Sequence, residues 1–152
     1  MNGFEFTSQS ESETLELGKR IGAAINVPCV FYLSGTLGAG KTRFVQAVAG
    51  GLGIEPETVT SPTFTVIVPH QGRLPLVHID AYRVGDLDEA EQLGIDDWLS
   101  GGAVLMIEWA EKIAAALPPA DVAVEIHHIG DTQRKFVFEL LTPVGQAAFT
   151  QT

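Results

Sequence analysis

Residues 30–49 of the chain read VFYLSGTLGAGKTRFVQAVA, and this stretch decides the fold. An apolar run over residues 30–33 predicts a buried strand, and a glycine-rich turn follows it. From Gly35 to Thr42 the turn fits the P-loop pattern G-x-x-x-x-G-K-[ST], with Lys41 at the lysine position. The residues after it carry apolar side chains at helical spacing. The sequence therefore predicts a strand, a phosphate-binding turn and a helix.

This pattern has a physical basis. Glycines let backbone N–H groups curl around phosphate oxygens, and the helix that follows points its positive end at them. Lys41 would reach the β- and γ-phosphates, and Thr42 would supply a ligand to Mg²⁺. A glycine-rich turn that joins strand to helix and binds nothing is the alternative. The predicted nucleotide-binding residues are Gly35, Thr36, Leu37, Gly38, Ala39, Gly40, Lys41, Thr42 and Arg43.

Length and composition indicate a single globular domain over residues 1–152. The chain is 45% hydrophobic and 18% charged, which is ordinary for a globular protein of this size. Its longest apolar runs fall far short of the roughly 18 residues that a membrane span needs. The first residues, MNGFEFTSQSESE, have neither the basic flank nor the apolar segment of a signal peptide. A cytoplasmic location is the expected default.

The balance of charge is acidic. Nineteen acidic and nine basic side chains give a formal net charge of −10, which disfavours direct, tight binding to RNA or DNA. Cys29 is the one cysteine and lies among apolar residues, so a buried thiol is expected and an intrachain disulfide is impossible. No metal-binding cluster of Cys and His is visible in the sequence.

Hydrophobic spacing and turn residues predict the other elements. Two hairpins are expected, one over residues 65–79 and one at the C-terminal end. Together these elements predict an α/β protein with a P-loop NTPase-like mixed β-sheet, flanked by helices. The predicted helices cover residues 11–26, 43–52, 86–94, 95–99 and 110–117, and the predicted strands 30–33, 65–68, 74–79, 103–107, 122–129 and 135–141.

Two acidic residues follow apolar strands and are candidates for the chemistry. Asp80 ends the strand at 74–79, and Glu108 ends the strand at 103–107. P-loop enzymes hold Mg²⁺ between the P-loop hydroxyl and a carboxylate on a neighbouring strand. Asp80 and Glu108 are therefore candidate metal ligands with Thr42, and candidate catalytic residues with Lys41. The pattern leaves open which carboxylate binds the metal and which acts on the attacking water.

Other residues near these strand ends are ambiguous. Trp109 directly follows Glu108 and is either a filler of the core or part of the site. Arg83 lies three residues after Asp80 and is near the phosphates, on a surface that binds a partner, or simply a solvated surface arginine. His78, inside an apolar strand, is predicted to be a structural histidine. The first helix and the strand start at residues 134–135 are candidate walls for the nucleotide base.

The combination of motifs, in this order and in a chain this short, resembles the TsaE family. This family consists of small P-loop ATPases of bacterial tRNA threonylcarbamoyladenosine biosynthesis. The resemblance covers nearly the whole chain and is weakest after Pro119. Besides the P-loop, it rests on Ser61-Pro62-Thr63-Phe64, His78-Ile79-Asp80-Ala81-Tyr82-Arg83 and Glu108-Trp109.

The resemblance implies ATP or ADP with Mg²⁺ as ligands and hydrolysis of ATP. It implies a role beside the protein complex that transfers a threonylcarbamoyl group to adenosine 37 of tRNAs that read ANN codons. It also implies that Glu108 supports the metal or hydrolysis and that Trp109 matters for activity. A nucleotide-sensing switch segment is implied at Ser61, Pro62, Thr63 and Phe64.

Other functional classes stay open. A small-molecule P-loop kinase would share the opening strand, turn and helix, although few cations follow residue 83 to hold an acceptor. A nucleotide-gated binding protein would use ATP only to hold a conformation. A GTPase is disfavoured because no N-K-x-D string is present. None of the five arginines belongs to a recognisable arginine-finger motif, so slow hydrolysis by the isolated chain is expected.

Overall fold

A mixed β-sheet forms the centre of the structure. The computed structural model describes residues 3–35, 40–60 and 66–149, except for the side chain of Arg83. In these ranges the sheet has seven strands in the order β1-β7-β6-β2-β5-β4-β3. The predicted α/β fold with a mixed sheet is confirmed. The strands are β1 (Gly3–Ser8), β2 (Cys29–Gly35), β3 (Ile67–His70), β4 (Leu76–Asp80), β5 (Val104–Glu108), β6 (Val122–His128) and β7 (Arg134–Leu140).

The middle of the sheet is parallel. Strand β2 pairs in parallel with both β5 and β6, and β4 pairs in parallel with β5. Two antiparallel hairpins, β3–β4 and β6–β7, lie at the positions where the sequence predicts them, and β1 adds to β7 at one edge. Because parallel strands end on the same side, the carboxyl ends of β2, β4 and β5 meet at one edge.

Helices flank the sheet. The first helix begins with a capping arrangement in which Ser10 Oγ accepts a hydrogen bond from Glu13 N at 3.2 Å, while Glu13 Oε1 accepts one from Gln9 N at 3.0 Å. No helix among the described residues is long and apolar enough to cross a membrane. The helices are α1 (Glu11–Ala24), α2 (Lys41–Gly51), α3 (Leu87–Glu91), α4 (Ile95–Ser100) and α5 (Pro143–Ala147).

Helices α1 and α2 pack closely together over one face of the sheet. A Cβ atom added at Gly22 would lie 2.2 Å from the carbonyl oxygen of Val48, and one added at Gly18 would lie 2.2 Å from Ala47 Cβ. The glycines therefore set the distance between the helices. Beneath them, large aromatic side chains such as Phe31 fill the core. A second apolar cluster, which includes Ile95 of α4, covers the opposite face.

The structure corrects the sequence prediction in three places. Strand β1 and helix α5 were not predicted. The predicted helix over residues 110–117 is wrong, because two short 3-10 turns, Ala110–Lys112 and Ala114–Ala116, lie there instead. Ile113 separates them with φ −132° and is buried in the core, so its tertiary packing interrupts the helix.

Candidate functional site

Two acidic residues meet at the carboxyl edge of the parallel strands. Asp80 and Glu108 are register partners at the ends of β4 and β5, and Leu33 of β2 is the partner of Glu108 on the other side. Register partners on neighbouring strands point to the same face of a sheet. Glu108 and Asp80 therefore lie on the face covered by α1 and α2, and they line one cavity with the first residues of α2.

The start of α2 has the backbone conformation that the P-loop pattern requires. Gly40 caps the helix with φ 104°, in the left-handed region that glycine adopts without steric cost. Its carbonyl oxygen accepts the first helical hydrogen bond, from Phe44 N at 2.9 Å. The N-terminal end of α2, with its free N–H groups, consequently lies at the carboxyl edge of β2.

Lys41 is a buried cation of this region. Its side chain is only 7% exposed, although lysine side chains are rarely buried unless paired. The Nζ atom donates a hydrogen bond to Gly35 O at 3.0 Å and lies 3.7 Å from Glu108 Oε1. The same atom lies 4.8 Å from the centroid of the Trp109 ring, within the range of a cation–π contact. Three different groups thus hold this charge in place.

The other oxygen of Glu108 contacts a histidine. Glu108 Oε2 lies 2.6 Å from His78 Nε2, and the His78 side chain is fully buried. His78 lies two residues before Asp80 in β4, so the two side chains are on the same face of the sheet. The sequence predicts a structural histidine here, whereas the structure brings His78 into contact with a candidate site residue. Alternate residues of a strand point to the same face, so the sequence already placed His78 on the same face as Asp80. That spacing is the signal that could have predicted the contact between His78 and the site.

Aromatic and cationic side chains form a layer over Lys41. Trp109 has φ 61° and its ring centroid lies 5.1 Å from that of Tyr82. Lys112 Nζ donates to Tyr82 O at 2.6 Å and lies 4.8 Å from the centroid of the Tyr82 ring. Asp80 Oδ1 accepts a hydrogen bond from Tyr82 N at 3.0 Å. The sequence left Trp109 between core and site, and the structure places it beside Lys41.

A cavity of about 440 Å³ lies between these residues, helix α1 and the first residues of β7. Both predicted walls for a base contribute to it: α1 through Glu11 and Thr14, and the start of β7 through Arg134. Sequence reasoning missed Gln46, Thr132 and Phe136. The described lining residues are Glu11, Thr14, Gly40, Lys41, Thr42, Arg43, Gln46, Asp80, Glu108, Trp109, Thr132, Arg134 and Phe136.

The two arginines of the cavity wall are already hydrogen-bonded or paired. Arg43 lies 3.5 Å from Glu11 Oε1 and donates to Gln46 Oε1 at 3.2 Å. Arg134 Nη1 donates to the carbonyl oxygens of Gly130 at 3.0 Å and Gln133 at 2.9 Å. Backbone acceptors hold Arg134 at the wall, whereas the exposed pair of Arg43 with Glu11 is weak.

The donor set of the cavity fits Mg²⁺ that arrives with a nucleotide. No group of three or more His, Cys, Asp and Glu side chains that could hold a metal occurs in the described part of the chain. Mg²⁺ is usually held by one or two carboxylates together with phosphate oxygens and water, so an all-protein cage is not needed. Thr42, Asp80 and Glu108 line one cavity and supply hard oxygen ligands of the required kind.

Several predicted residues lie outside the part of the chain that the structure describes. In the glycine-rich turn these are Thr36, Leu37, Gly38 and Ala39. The predicted switch segment, Ser61, Pro62, Thr63 and Phe64, is outside it as well, and so is the side chain of Arg83. The roles assigned to all predicted site residues stay predictions.

The fold and the site geometry define a class: an α/β protein with a P-loop-like architecture. Comparison with known proteins gives the family. Residues 8–136 match the family model described as "Threonylcarbamoyl adenosine biosynthesis protein TsaE". The chain belongs to the TsaE family, as the resemblance of its motifs predicted.

Individual relatives agree with this assignment. The chain is 38% identical to a protein of Treponema pallidum over 84% of this chain and 94% of that protein. It is 39% identical to one of Bacillus subtilis, over 91% of this chain and 86% of the relative. Both relatives are named tRNA threonylcarbamoyladenosine biosynthesis protein TsaE.

A solved structure shares the fold. The crystal structure of Bacillus subtilis YdiB superimposes with a TM-score of 0.76 and 32% sequence identity. The match covers 97% of this chain and 91% of YdiB. The seven-stranded arrangement of the described residues is therefore similar to that of a protein known from crystallography.

Proposed function

We propose that this chain binds ATP together with Mg²⁺, hydrolyses it to ADP and phosphate, and serves tRNA threonylcarbamoyladenosine biosynthesis. It would act with the proteins that transfer the threonylcarbamoyl group to adenosine 37 of tRNAs that read ANN codons. The biosynthetic role rests on the family, and the ATPase role rests on the P-loop sequence and the site that surrounds Lys41.

The observation that carries the ATPase proposal is the position of Lys41. A lysine that is 7% exposed, bonded to Gly35 O and 3.7 Å from Glu108 Oε1, places a fixed positive charge at the N-terminal end of α2. The helix end and the lysine both attract anions. A site with these groups and a neighbouring carboxylate suits a nucleoside phosphate with its divalent cation better than any uncharged ligand.

Each residue of the site would have a separate role in ATP hydrolysis. Lys41 neutralises charge on the outer phosphates, and its bond to Gly35 O holds it there at little cost in reorganisation. Thr42 and Glu108, with Asp80 beside them, would hold Mg²⁺, which when bound neutralises phosphate charge and polarises the bond that breaks. Trp109 covers Lys41 and limits the access of water to the ammonium group. Asp80 or Glu108 would orient the attacking water.

Hydrolysis by the isolated chain should be slow. Among the described residues that line the cavity, both arginines contact other groups at its wall, Arg43 through Glu11 and Gln46 and Arg134 through backbone carbonyls. An arginine that reaches the transferred phosphoryl group typically accelerates hydrolysis by about 10³- to 10⁵-fold. We infer that the partner proteins raise the rate, and an isolated rate equal to that of the full assembly would contradict this.

The surface charge favours protein partners over tRNA. Six acidic side chains of the α3–α4 region are exposed, and they add to a formal net charge of −10. Such a field repels the phosphate backbone of RNA. We therefore propose that tRNA is contacted by the partner proteins. The six residues are Asp86, Asp88, Glu89, Glu91, Asp96 and Asp97.

Phosphate release from ATP tests the enzymatic part. The purified chain should release phosphate only with Mg²⁺, and Glu108→Gln should lower kcat by about 100-fold or more because a charged group of the site is lost. Glu111→Gln is the matched control, since Glu111 is exposed and lies outside the cavity lining. Phosphate that appears on a small hydroxyl compound instead of in solution would indicate a kinase.

Reconstitution tests the biological part. The transferring proteins, tRNA and ATP are incubated with and without this chain, and the modified nucleoside is quantified by mass spectrometry. Modification that depends on the chain supports the proposal, and modification at the same rate without it contradicts it. If Glu108→Gln binds ATP and still supports full modification, the chain is a nucleotide-gated binding protein and hydrolysis is not needed.

A further inference from the structure

The contact between His78 and Glu108 is a feature that the family assignment does not explain. His78 Nε2 and Glu108 Oε2 are 2.6 Å apart, and the two side chains are 0% and 8% exposed. A hydrogen bond this short between buried polar groups is strong, because water cannot compete for either partner. It joins residues that are 30 positions apart in the sequence.

The surroundings of His78 indicate which ring nitrogen carries the hydrogen. His78 Nδ1 is buried and has no hydrogen-bond partner among the described residues. A hydrogen on Nδ1 would be a buried donor without an acceptor, which costs free energy. Placing the hydrogen on Nε2 avoids that cost and lets His78 donate to Glu108 Oε2. In this tautomer Glu108 Oε2 accepts the hydrogen bond.

The two oxygens of Glu108 then have separate partners. Oε2 is taken by His78, while Oε1 lies 3.7 Å from Lys41 Nζ on the cavity side. A glutamate side chain has three rotatable bonds, and a bond at Oε2 fixes the plane of the carboxylate. Histidine and carboxylate partners behind a site residue commonly orient it in this way.

We propose that His78 is a positioning residue for Glu108. By donating from Nε2 to Oε2, it holds Glu108 Oε1 toward Lys41 and the cavity, where nucleotide and Mg²⁺ would bind. This inference rests on the proposed function of Glu108 as a residue that supports the metal or hydrolysis. A purely structural histidine would contribute to stability without changing how the protein responds to Mg²⁺.

Three variants separate these possibilities. His78→Gln keeps an amide donor at about the position of Nε2. His78→Leu fills a similar volume without a donor, and His78→Asn keeps a donor on a side chain that is one carbon shorter. Each variant is compared with the wild type in thermal unfolding, in ATP hydrolysis with partner proteins, and in ADP binding by calorimetry with and without Mg²⁺.

The expected pattern is specific. His78→Leu and His78→Asn should lower kcat or weaken Mg²⁺-dependent ADP binding by about 10- to 100-fold, the usual effect of losing such a partner. The affinity for ADP without Mg²⁺ should change by less than the affinity with Mg²⁺, because Gly35 O and the Trp109 ring still hold Lys41 in place. His78→Gln should recover most of the loss. If the Leu variant does not fold, the comparison of Asn with Gln decides.

Two results would overturn the inference. One is wild-type kcat and Mg²⁺ dependence in a folded His78→Leu or His78→Asn variant. The other is a Gln variant as defective as the Asn variant, since a donor at Nε2 would then not be what matters. A wild-type protein that binds ADP with Mg²⁺ but never releases phosphate would instead contradict the proposed ATPase function, and the binding data would still test His78.

Discussion

Lys41 Nζ lies 4.8 Å from the centroid of the Trp109 ring, and the backbone of Trp109 is in the left-handed conformation with φ 61°. Among the described residues, Trp109 is the one non-glycine residue with positive φ. The left-handed conformation costs an L-residue about 1–2 kcal/mol. The ring that covers the lysine is therefore presented by a strained backbone, which is common where a side chain serves a site.

This strain predicts an unusual order of stability. Trp109→Gly should unfold at a higher denaturant concentration than Trp109→Ala, with a difference of about 1 kcal/mol, because glycine adopts positive φ without steric cost. Urea unfolding of the two variants measures it. Ala114→Gly is the control: Ala114 is exposed and does not have positive φ, so glycine should destabilise there. A Trp109→Gly variant less stable than Trp109→Ala would contradict the assignment of strain.

The close contact of α1 with α2 makes a second prediction. Gly22→Ala should lower the free energy of unfolding by about 1–3 kcal/mol, because the added methyl group meets the Val48 carbonyl oxygen at 2.2 Å. Gly50→Ala is the matched control in α2. Its nearest neighbour would be Pro56 Cγ at 3.5 Å, so alanine should be neutral or stabilising by up to about 1 kcal/mol. Equal effects in denaturant unfolding would argue against tight helix packing.

His70 predicts a dependence of stability on pH. Burial of the ring lowers the pKa of His70 in the folded protein. In the unfolded chain the histidine pKa is about 6.5. As the pH falls below that value, the unfolded chain takes up a proton that the folded protein does not, so the free energy of unfolding falls.

Removing this titration tests the assignment. His70→Gln should lose less stability than the wild type when the pH is lowered from about 7.5 to 5.5, around the unfolded-state pKa. Urea unfolding at several pH values measures the difference. Other titrating groups also contribute to the pH dependence of both proteins. The comparison is therefore between the slopes of unfolding free energy against pH for the wild type and for His70→Gln. A His70→Gln slope equal to or steeper than the wild-type slope is the contrary outcome.

Cys29 should be unreactive in the folded protein. Burial, with a further contribution from the negative charge of Asp121, raises the pKa of its thiol to about 12. The thiolate is the reactive form, so both its scarcity and its burial slow modification. Reaction with a thiol-specific disulfide reagent at about pH 8 should be at least about 100-fold slower in buffer than in denaturant. Rapid modification in buffer would place Cys29 at the surface.

The parts of the fold that the sequence predicts are those with strong local signals. The apolar run before Gly35, the helical spacing after Lys41 and the apolar strands before Asp80 and Glu108 each combine periodicity with a clear boundary. The two hairpins follow from alternating residues around turns. These signals placed Asp80 and Glu108 at strand ends, and parallel pairing brings such ends together.

The features that were missed depend on distant parts of the chain. Strand β1 lies at an edge of the sheet, and it gains its stability from β7 and from contacts such as the one between Phe4 and Phe138, whose ring centroids are 4.9 Å apart. The contact of His78 with Glu108 was not predicted, because the two residues are 30 positions apart and lie on different strands. Local patterns carry no information about which strands become neighbours.

The position of β1 has a consequence for synthesis on the ribosome. The first strand of the chain pairs with β7, and residue partners run from Gly3 with Glu139 to Ser8 with Arg134. During translation β1 therefore has no partner strand until residue 140 has emerged from the exit tunnel. The strand that is synthesised first is therefore paired last, because this edge of the sheet cannot close before β7, the last of the described strands, is available.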